Sequence, residues 1–578
     1  MKTKKREDRR EVVVKVVPRP ARHARWPWVL AAAAAVAVSF WAYSPALHGP
    51  FLFDDTALPF ALPNFTDKLH VWLRGVRPLL MFSYWANAMI SRDDPYSYHV
   101  VNVIFHWISS ALAFLIVRRI MEWAGADAAR RNLLAGFAAA VFLLHPVQTE
   151  AVAYLAGRSD GLSVMLAFAA FAVFLYRPER AVSWWVVALV LVLFAAGFLA
   201  KQDVIALPAL LLLTDYWWNP SFSFQGIRAN WRLYLPLFLG AAVVVAWSWR
   251  TIMHAETAGF GLKDFTWYQY FFTQCRALLV YPAMFLLPAN LTADWDFPIS
   301  RTILDHGALA GLIVLLALAA AAWHFRRRFP LAGFGFFTYL VLMAPTSSIL
   351  PIKDPVAERR LYFSMLGLLL IVVDLVGRLK LDRKVLAAAC LVIALVAAGA
   401  TRARAAVWAD PVVLWEDTAR KSPHKWRVRF QLAASYLFAG QYGRAEAEFA
   451  KAAPLAPPDH NLLVDWGLAL DGLNRMDEAL AKLRQAAAME PTPHVYTQIA
   501  QVYGKRRYWA DAMDALATAE KLDSDFATIY VYRGNIYFNT GQYRAAAAEY
   551  QHALKLQPDY EEALRNLVKA QQLMRVAR

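Results

Sequence analysis

The segment ATIYVYRGNIYFNTGQYRAAAAEYQHALKLQPDY, residues 527–560, decides the fold of the C-terminal part of the chain. Small residues occupy Gly534 and Ala546, large aromatic residues occupy Tyr537 and Tyr550, and Pro558 ends the unit. In a pair of packed helices, small residues lie where the two backbones touch and large residues fill the neighbouring holes. The segment therefore predicts two short helices that pack against each other across a tight turn.

The same pattern recurs upstream at intervals of 33 or 34 residues. The repeated small and large positions are Ala433, Gly467, Ala500 and Gly534, then Ala445, Ala479, Ala512 and Ala546, then Phe449, Leu483, Leu516 and Tyr550. This period is typical of tetratricopeptide repeats, which stack into a solenoid with a concave binding surface. We predict four repeats over residues 426–560, a capping helix over 561–578, and a connecting helix or half repeat over 403–425.

Upstream of residue 403 the composition indicates a membrane protein, because the whole chain is 59% hydrophobic and only 18% charged. Apolar runs of about twenty residues, the length that crosses a bilayer, recur between residues 26 and 402. The predicted spans are residues 26–45, 99–117, 132–145, 160–176, 181–200, 203–218, 233–249, 303–323, 331–350, 361–377 and 385–402. The prediction is an all-α fold in which about eleven transmembrane helices precede the solenoid.

The basic residues predict the orientation of these spans. The tail over residues 1–25 is basic, and further Lys and Arg clusters fall in short loops such as 326–328 and 378–384. Under the positive-inside rule the N-terminus is cytoplasmic, and residues 46–98, 146–159, 201–203, 250–302, 351–360 and all after 402 lie outside. This requires that residues 270–288 form a re-entrant or interfacial segment. The first run could be a signal peptide, but its length and terminal aromatic residues favour a retained helix.

Several classes of function are excluded. The net charge of +17 lies in the tail and the short loops, so no separate basic face indicates nucleic-acid binding. Two cysteines, Cys275 and Cys390, are too few for a disulfide framework or a CxxC metal site. The sequence has no GxxxxGK[ST] loop and no HExxH motif, and the glycines at 333 and 335 lie inside an apolar run.

The ionisable residues of the predicted outer loops form the candidate site. Charges at a bilayer edge are costly, so their clustering on one side predicts a function. The candidates are the acidic pair Asp54 and Asp55, with Arg77, His145, Glu150, Arg158, Lys201, Glu358 and Arg359. We interpret Asp94, Lys353 and Asp354 as a solvated rim of loop charges.

One reaction fits a membrane site of this kind. A lipid-linked sugar phosphate supplies its own leaving group, so the protein needs a carboxylate that takes the proton from an acceptor hydroxyl. It also needs Arg or Lys to hold the phosphate as charge develops. We predict Asp54 or Asp55 as the base, with Asp54 favoured, and Arg77, Arg158, Lys201 and Arg359 as phosphate ligands. His145 and Glu150 are candidates for sugar or acceptor contacts, and Glu358 for donor binding.

Taken together, the motifs resemble the transmembrane and tetratricopeptide-repeat O-mannosyltransferases, which belong to the membrane-embedded GT-C class. The matching segments are FLFDD (51–55), RPLLMFSYWANAMI (77–90), YHVVNVIFH (98–106), LLHPVQTEAVAYLAGRSD (143–160), AKQDVIALPALLLLTD (200–215) and VAERRLYFSMLG (356–367), followed by the repeats. The resemblance implies an acidic pair at the catalytic centre, a polyprenyl-phosphate donor that usually carries mannose, and transfer to Ser or Thr of a protein. Family members commonly carry Lys-Glu where this chain has Lys201-Gln202, which puts the role of that turn in question.

The resemblance leaves alternatives open. The chain could be a non-catalytic membrane scaffold, or the sugar could go to a glycan or lipid acceptor. No cofactor and no metal ligand are predicted, although two adjacent aspartates can also bind a divalent ion. The alanine- and arginine-rich composition is typical of bacteria. A bacterial origin would place the protein in the inner membrane, make the outer side periplasmic and the lipid undecaprenyl-like.

Overall fold

The computed structural model describes residues 26–61, 67–92, 94–254, 258–457 and 459–576. The predicted basic tail, residues 1–25, therefore lies outside the described residues. Across the described ranges the secondary structure is helical, and the only β-type pairing is an isolated antiparallel bridge between Ala258 and Ile352. The prediction of an all-α fold is confirmed.

Among the described residues up to Val407, sixteen α-helices form the part that the sequence predicts to contain the transmembrane spans. They are α1 Trp26–Tyr43, α2 Leu69–Trp72, α3 Pro78–Ser91, α4 Pro95–Trp123, α5 Ala128–Leu144, α6 Thr149–Ala153, α7 Arg158–Leu175, α8 Trp184–Ala200, α9 Leu207–Trp218, α10 Gln225–Ala229, α11 Trp231–His254, α12 Trp267–Leu286, α13 Ala308–His324, α14 Pro330–Met343, α15 Leu361–Gly377 and α16 Arg383–Val407.

Ten further helices form the C-terminal part as far as the structure describes it. They are α17 Pro411–Lys421, α18 Trp426–Phe438, α19 Tyr442–Ala452, α20 His460–Gly472, α21 Met476–Met489, α22 Pro493–Lys505, α23 Trp509–Leu522, α24 Ala527–Asn539, α25 Tyr543–Leu556 and α26 Glu561–Val576. Each predicted repeat corresponds to one helix pair, from α18 and α19 to α24 and α25.

Six helices of the described ranges are long and apolar enough to cross a membrane, namely Trp28–Ala46, Pro95–Trp123, Leu155–Leu175, Asp305–His324, Glu358–Gly377 and Arg383–Val407. A seventh span is possible if the bent pair Ala128–Leu144 and Pro146–Ala153, which turns by 47°, counts as one. Other apolar helices, including α8 and α14, are shorter than eighteen residues. These helices support an integral membrane protein, while the number of about eleven crossings stays a prediction.

The run predicted to be re-entrant or interfacial forms the continuous twenty-residue helix α12, Trp267–Leu286. Pro282 lies inside this helix without breaking it. A re-entrant hairpin needs a turn within the segment, so the structure contradicts that form of the prediction. A helix that lies in the interface is compatible with the observed shape.

Close helix crossings build the core of this part. Gly335 of α14 and Gly367 of α15 face each other so tightly that a Cβ on either would lie 2.5 Å from the carbonyl oxygen of the other. Small residues at such crossings let two backbones approach and gain van der Waals contact. The glycines at 333 and 335 therefore serve helix packing, and not nucleotide binding.

The C-terminal helices pack as the quoted segment predicts. A Cβ added to Gly534 in α24 would lie 2.6 Å from Cε1 of Tyr550 in α25, and one added to Gly467 would lie 2.9 Å from Cγ of Leu483. Because only a small residue fits against these large side chains, the spacing of small and large positions fixes how the two helices of each unit meet.

The two parts are joined by helices and not by a linker. Helix α16 continues five residues beyond the predicted end of its span, to Val407, and α17 begins at Pro411. Arg404 near the end of α16 donates to Asp417 of α17 over 2.8 Å. This bond fixes the turn between them, so the first helix of the C-terminal part lies directly against the loops of the candidate site.

Candidate active site

The two adjacent aspartates occupy different environments. They lie in the acidic loop, residues 52–57, which forms a short 3-10 turn over Phe53–Ala57. Asp55 is only 1% exposed, and it accepts the amide of Leu52 over 3.1 Å and the amide of Ala156 over 2.7 Å. Asp54 is exposed, and its backbone amide donates to the hydroxyl of Tyr154 over 2.9 Å. Asp55 therefore ties two chain segments together, while the carboxylate of Asp54 faces outward.

Burial changes the titration of Asp55. Desolvation raises the pKa of this carboxyl to about 7, and the neighbouring charge of Asp54 acts in the same direction. The backbone amides of Leu52 and Ala156 act against this effect because they stabilise the charged form. Asp55 consequently changes its charge close to neutral pH.

Tyr154 connects the acidic loop to α16. Its ring lies 5.7 Å from that of Trp408 and 6.5 Å from that of Phe53. Burial raises the pKa of Tyr154, and the charges of Asp55 and Asp54 raise it further. The hydroxyl therefore keeps its proton while it accepts the amide of Asp54, and it can still donate to a group beside that residue.

Arg359 and Glu150 form an ion pair next to this loop. The backbone amide of Arg359 donates to Glu150 over 2.8 Å, and Nη1 of its guanidinium also contacts that carboxylate. Glu150 is 2% exposed, whereas 35% of the Arg359 side chain is exposed. The pair uses only Nη1 of the guanidinium, and Nε and Nη2 make no hydrogen bond to the described residues, so these two nitrogens can donate to an anion.

A second basic group comes from the turn before α9. Nζ of Lys201 lies 2.6 Å from Asp160 and 3.0 Å from Asp203, and 12% of its side chain is exposed. The other carboxylate oxygen of Asp160 is buried and has no hydrogen-bond partner among the described residues. The ammonium group is thus held at the edge of the site by two carboxylates.

Gln202 has a definite role at the position where the family commonly has glutamate. Its Oε1 accepts from Nε of Arg77 over 3.2 Å, and its Nε2 donates to the carbonyl of Val76 over 3.2 Å. A neutral amide can hold Arg77 in place without neutralising it, whereas a carboxylate would form an ion pair. The departure from the family pattern therefore leaves the charge of Arg77 uncompensated at this contact.

Arg158 does not fit its predicted role as a phosphate ligand. Its side chain is completely buried, and it donates to Asn102 over 2.9 Å and to the carbonyls of Ser83 and Tyr98 over 3.1 and 2.9 Å. Its guanidinium lies 4.6 Å from the centre of the Tyr84 ring. All three nitrogens are occupied, so Arg158 joins α3, α4 and α7 and cannot reach a ligand.

His145 is also structural, contrary to its prediction as a sugar or acceptor contact. The residue is 6% exposed, Nδ1 accepts the amide of Val147 over 3.3 Å, and Nε2 lies 2.9 Å from the carbonyl of Phe285. Both ring nitrogens are used, and the ring stacks on Phe285 at 5.3 Å. His145 caps the bend after α5 and fixes it to α12.

Several buried polar atoms behind the acidic loop have no partner. Glu358 is fully buried and accepts the amide of Thr292 with one oxygen, while its Oε2 has no hydrogen bond within the described ranges. The same holds for Nε and Nη2 of Arg404 and for the indole nitrogen of Trp408. Buried polar groups are normally satisfied by protein or by ordered water. This set therefore indicates a polar space beside the site.

A paired ionic network holds the first repeat against the outer loops. Asp294 and Asp354 each contact both Lys425 and Arg427. The guanidinium of Arg427 lies 2.8 Å from Asp294 and 2.7 Å from Asp354. The ammonium group of Lys425 lies 3.1 Å from Asp354. Burial opposes ionisation, but the charges of Arg427 and Lys425 hold the pKa of Asp354 well below its usual range. Asp354 is thus part of this network, which we call the joint, and the prediction that it belongs to a solvated rim is wrong.

The other rim residues agree with their interpretation. Lys353 is exposed, and Asp94 is exposed while its carboxylate caps α4 by accepting the amide of Tyr96 over 3.1 Å. Among the described residues, no group of three or more His, Cys, Asp and Glu side chains converges in a way that could hold a metal ion.

Sequence reasoning missed Tyr154, Arg404 and Arg427. Tyr154 lay within a quoted motif, but its hydroxyl contact spans 100 residues of sequence and has no local signal. Arg404 could have been found, because two arginines closely follow a long apolar run at residues 402 and 404. Arg427 lies in the first repeat, where an exposed charge is the ordinary expectation.

The fold and the site define a class of protein: a polytopic helical membrane protein with C-terminal tetratricopeptide repeats. The "TPR repeat" family model matches residues 534–574, which confirms the predicted repeat. The solved structure of YrrB, a TPR protein with an unusual peptide-binding site, is similar to 27% of this chain over 80% of its own length, at 18% identity and with a TM-score of 0.23.

Curated relatives extend over most of the chain. The mouse protein O-mannosyl-transferase TMTC3 is 23% identical over 533 residues, which are 85% of this chain and 54% of that protein. The Caenorhabditis elegans protein O-mannosyl-transferase F38B6.6 is 23% identical over 425 residues, 69% of this chain and 58% of its own length. The predicted resemblance to the transmembrane and tetratricopeptide-repeat O-mannosyltransferases is confirmed, and the chain spans about half the length of these relatives.

Proposed function

We propose that the chain is a membrane glycosyltransferase that transfers a sugar, of the mannose type, from a polyprenyl-phosphate donor to Ser or Thr hydroxyls of a protein. The names of the relatives support the sugar and the acceptor. The reaction takes place at the face that carries Asp54, and the anomeric configuration is inverted.

The exposed carboxylate of Asp54 carries this proposal. The hydroxyl of Tyr154 accepts the backbone amide of Asp54 and holds the residue in place. The neighbouring carboxylate of Asp55 already accepts two backbone amides. Asp54 is therefore the member of the pair that can contact a substrate. As general base, Asp54 takes the proton of the acceptor hydroxyl while the oxygen attacks the anomeric carbon from the side opposite the phosphate. The phosphate leaves with the bonding electron pair, so the donor needs no acid from the protein.

Arg359, Lys201 and Arg77 are suited to bind the departing phosphate. Each is held by a neighbouring carboxylate or amide and keeps donors that the described residues do not use. Because these partners are in place before the substrate arrives, the cations need little reorganisation as charge develops on the phosphate. Glu150 and Asp160 act as positioning residues through these contacts.

The first repeat is suited to deliver a protein acceptor to this site. Trp415 of α17 contacts the ring of Phe53 at 5.8 Å, and the guanidinium of Arg427 lies 5.7 Å from the same ring. Phe53 directly precedes Asp54. A peptide bound along the first repeat therefore has only a short distance to span before its hydroxyl meets the base.

The decisive experiment supplies the purified full chain with polyprenyl-phosphate mannose and a peptide rich in Ser and Thr. We expect transfer by the wild-type protein, and a loss of roughly a thousandfold in Asp54→Asn, because positioned bases contribute about 10²–10⁴-fold. Asp296→Asn serves as matched control, since Asp296 is also an exposed outer-loop aspartate. The anomeric configuration of the transferred sugar in the product tests the proposed inversion.

Other outcomes discriminate the alternatives. Full activity in both Asp54→Asn and Asp55→Asn would overturn the assignment of the base. Transfer to a glycan or lipid acceptor but not to any peptide would overturn the protein acceptor. A protein that binds peptides through its repeats, yet transfers no sugar from any polyprenyl-phosphate donor, would instead be a membrane scaffold.

A further inference from the structure

Two adjoining cavities lie at the end of the helical part opposite Asp54, which we call the far face. Helix α7 begins beside the acidic loop at Arg158 and ends at Leu175, so it separates the two ends by about 27 Å at 1.5 Å per residue. The cavities measure about 200 and 370 Å³. They lie on the side that the positive-inside rule predicts to be cytoplasmic, and the proposed transferase activity does not use them.

Each cavity is lined by arginine. The first contains Arg119, Arg177 and Arg180, together with Glu179. Arg177 is paired with buried Asp215 at 2.6 Å, and Arg119 is paired with Glu122 at 2.8 Å. Arg180 is exposed, and its guanidinium has no ion pair or hydrogen bond with the part of the chain that the structure describes. This cavity therefore keeps one uncommitted guanidinium.

The second cavity has a similar arrangement. It is lined by Arg326 and Arg327. Arg326 donates through Nη1 to the carbonyl of Trp323 over 2.6 Å, while its buried Nε has no partner within the described ranges. Arg327 is exposed and makes no ion pair to any described residue. Each of the two adjoining cavities thus offers a guanidinium that the protein itself does not neutralise.

Tryptophan forms the wall between the cavities. Trp123 and Trp218 line both of them. The indole nitrogen of Trp218 is buried and has no acceptor among the residues described. Tryptophan is enriched at the level of lipid headgroups because its ring is apolar and its N–H is polar. The tryptophan wall therefore indicates that the two cavities lie at the level of the lipid headgroups.

The surface beside the second cavity is suited to acyl chains. Helix α13 is one of the helices of membrane-crossing length, and it exposes Leu309, Ile313 and Leu316 by 40%, 57% and 61%. It ends next to Trp323, whose ring lies 4.3 Å from the guanidinium of Arg326. An apolar helix surface therefore leads directly to the cationic cavity, which favours a lipid over a soluble anion.

We propose that the paired cavities bind the headgroup of an anionic phospholipid with two phosphates, one phosphate in each cavity. Arg180 and Arg327 contact the phosphates, the tryptophan wall separates them, and the acyl chains follow α13. Guanidinium groups bind phosphate oxygens in a bidentate geometry, and basic pockets between membrane helices recognise such headgroups.

The test uses the purified full chain and native mass spectrometry in detergent. The probes are cardiolipin with two phosphates, phosphatidylglycerol with one, phosphatidylcholine with no net charge, and inorganic pyrophosphate as a soluble competitor. We expect one retained cardiolipin per chain. Retention should fall about tenfold or more in the double variant Arg180→Gln, Arg327→Gln, because each basic residue near a membrane surface contributes about 1 kcal/mol to lipid binding.

The matched control replaces Arg383 and Lys384, two exposed basic residues at the start of α16 outside the cavities, and should retain cardiolipin. Equal retention by the wild type and the double variant would overturn the site, and equal retention of phosphatidylglycerol would overturn the two-phosphate headgroup. Displacement by pyrophosphate would assign a soluble anion instead. Should the double variant melt below the wild type, Arg180→Gln and Arg327→Gln test the two contacts singly.

Discussion

Two charged clusters near the acidic loop differ in how completely their charges are paired. In the joint, Asp294 and Asp354 each contact both Lys425 and Arg427. In the candidate site, the second oxygens of Asp160 and Glu358 have no partner among the described residues. A contact that only holds two parts together can satisfy every group, whereas a site for a substrate must leave polar atoms for it. In the joint every charge therefore lies beside opposite charges, whereas the candidate site keeps buried carboxylate oxygens without a partner among the described residues.

The pH dependence of Asp55 should have the largest effect on stability. Because burial raises the pKa of Asp55 from its ordinary value of 3.8 to about 7, the folded state binds its proton more tightly than the unfolded state. The resulting stabilisation is fully present below about pH 4 and is lost as the pH rises through 7. The difference corresponds to at most roughly 4 kcal/mol.

Thermal unfolding measured between pH 4 and 8 checks this prediction. The melting temperature of the wild type should fall across this range, and Asp55→Asn should remove that part of the slope. Asp296→Asn, which changes an exposed carboxylate, should keep it. Identical slopes in all three proteins would mean that Asp55 stays ionised in the folded protein over this pH range.

The fold could be predicted further than the site. The repeats follow from a spacing of small and large residues, since the contact between Gly534 and Tyr550 lies within one unit of the sequence. The apolar runs likewise predict helices of membrane-crossing length. Helix ends were less predictable: α16 continues past residue 402, where Nη1 of Arg404 donates to Asp417, a tertiary contact that hydropathy does not contain.

Residue types indicated the location of the site but not the role of each residue. Arg158 and Arg359 are equivalent by residue type, yet Arg158 donates to the carbonyls of Ser83 and Tyr98, while Arg359 keeps donors that no described residue accepts. Such a difference depends on segments 60 to 75 residues away in the sequence. Asp54 and Asp55 differ for the same reason, since the amide of Ala156 selects one of them.

Breaking the joint should have the next largest effect. Asp294→Asn removes the contacts of one carboxylate with Lys425 and Arg427 and leaves both cations to Asp354 alone. Breaking a buried pair costs about 3–5 kcal/mol, and the partial exposure of the two cations reduces this to about 2–3 kcal/mol. Hydrogen exchange should increase at residues 287–300 and 421–430, while Asp296→Asn, two residues away, should leave exchange unchanged. Unchanged exchange in Asp294→Asn would show that the joint does not hold the repeats.

Substitution of Phe53 tests whether the packing between the repeats and the acidic loop affects catalysis at Asp54. Phe53 has a φ of 50°, a strained conformation for a bulky residue, and its ring lies between Trp415, Arg427 and Tyr154. Phe53→Leu loses these ring contacts, which are worth about 1 kcal/mol or slightly more, so turnover should fall about five- to tenfold with the KM for the donor unchanged.

The matched change is Phe51→Leu, since Phe51 packs on Phe60 and Tyr98 at the other side of the loop, away from the repeats. We expect this variant to keep its turnover. Equal losses of turnover in the two variants would indicate that any change in the packing of the loop affects Asp54. The contacts of Phe53 with the repeats would then have no specific effect on catalysis.

The smallest effect should come from Glu358, although this carboxyl is fully buried. Glu358→Gln keeps the oxygen that accepts the amide of Thr292 and changes only the Oε2 atom that has no partner within the described ranges. An amide nitrogen takes the place of Oε2 and no hydrogen bond to the described residues is lost, so the free energy of unfolding should change by about 1 kcal/mol or less. Glu150→Gln is the matched comparison, because it weakens the pair with Arg359 and should cost several times more. If the two variants were equally destabilised, Glu358 would be paired in solution, and the polar space beside Asp54 would be part of the frame that holds the site and not part of the site itself.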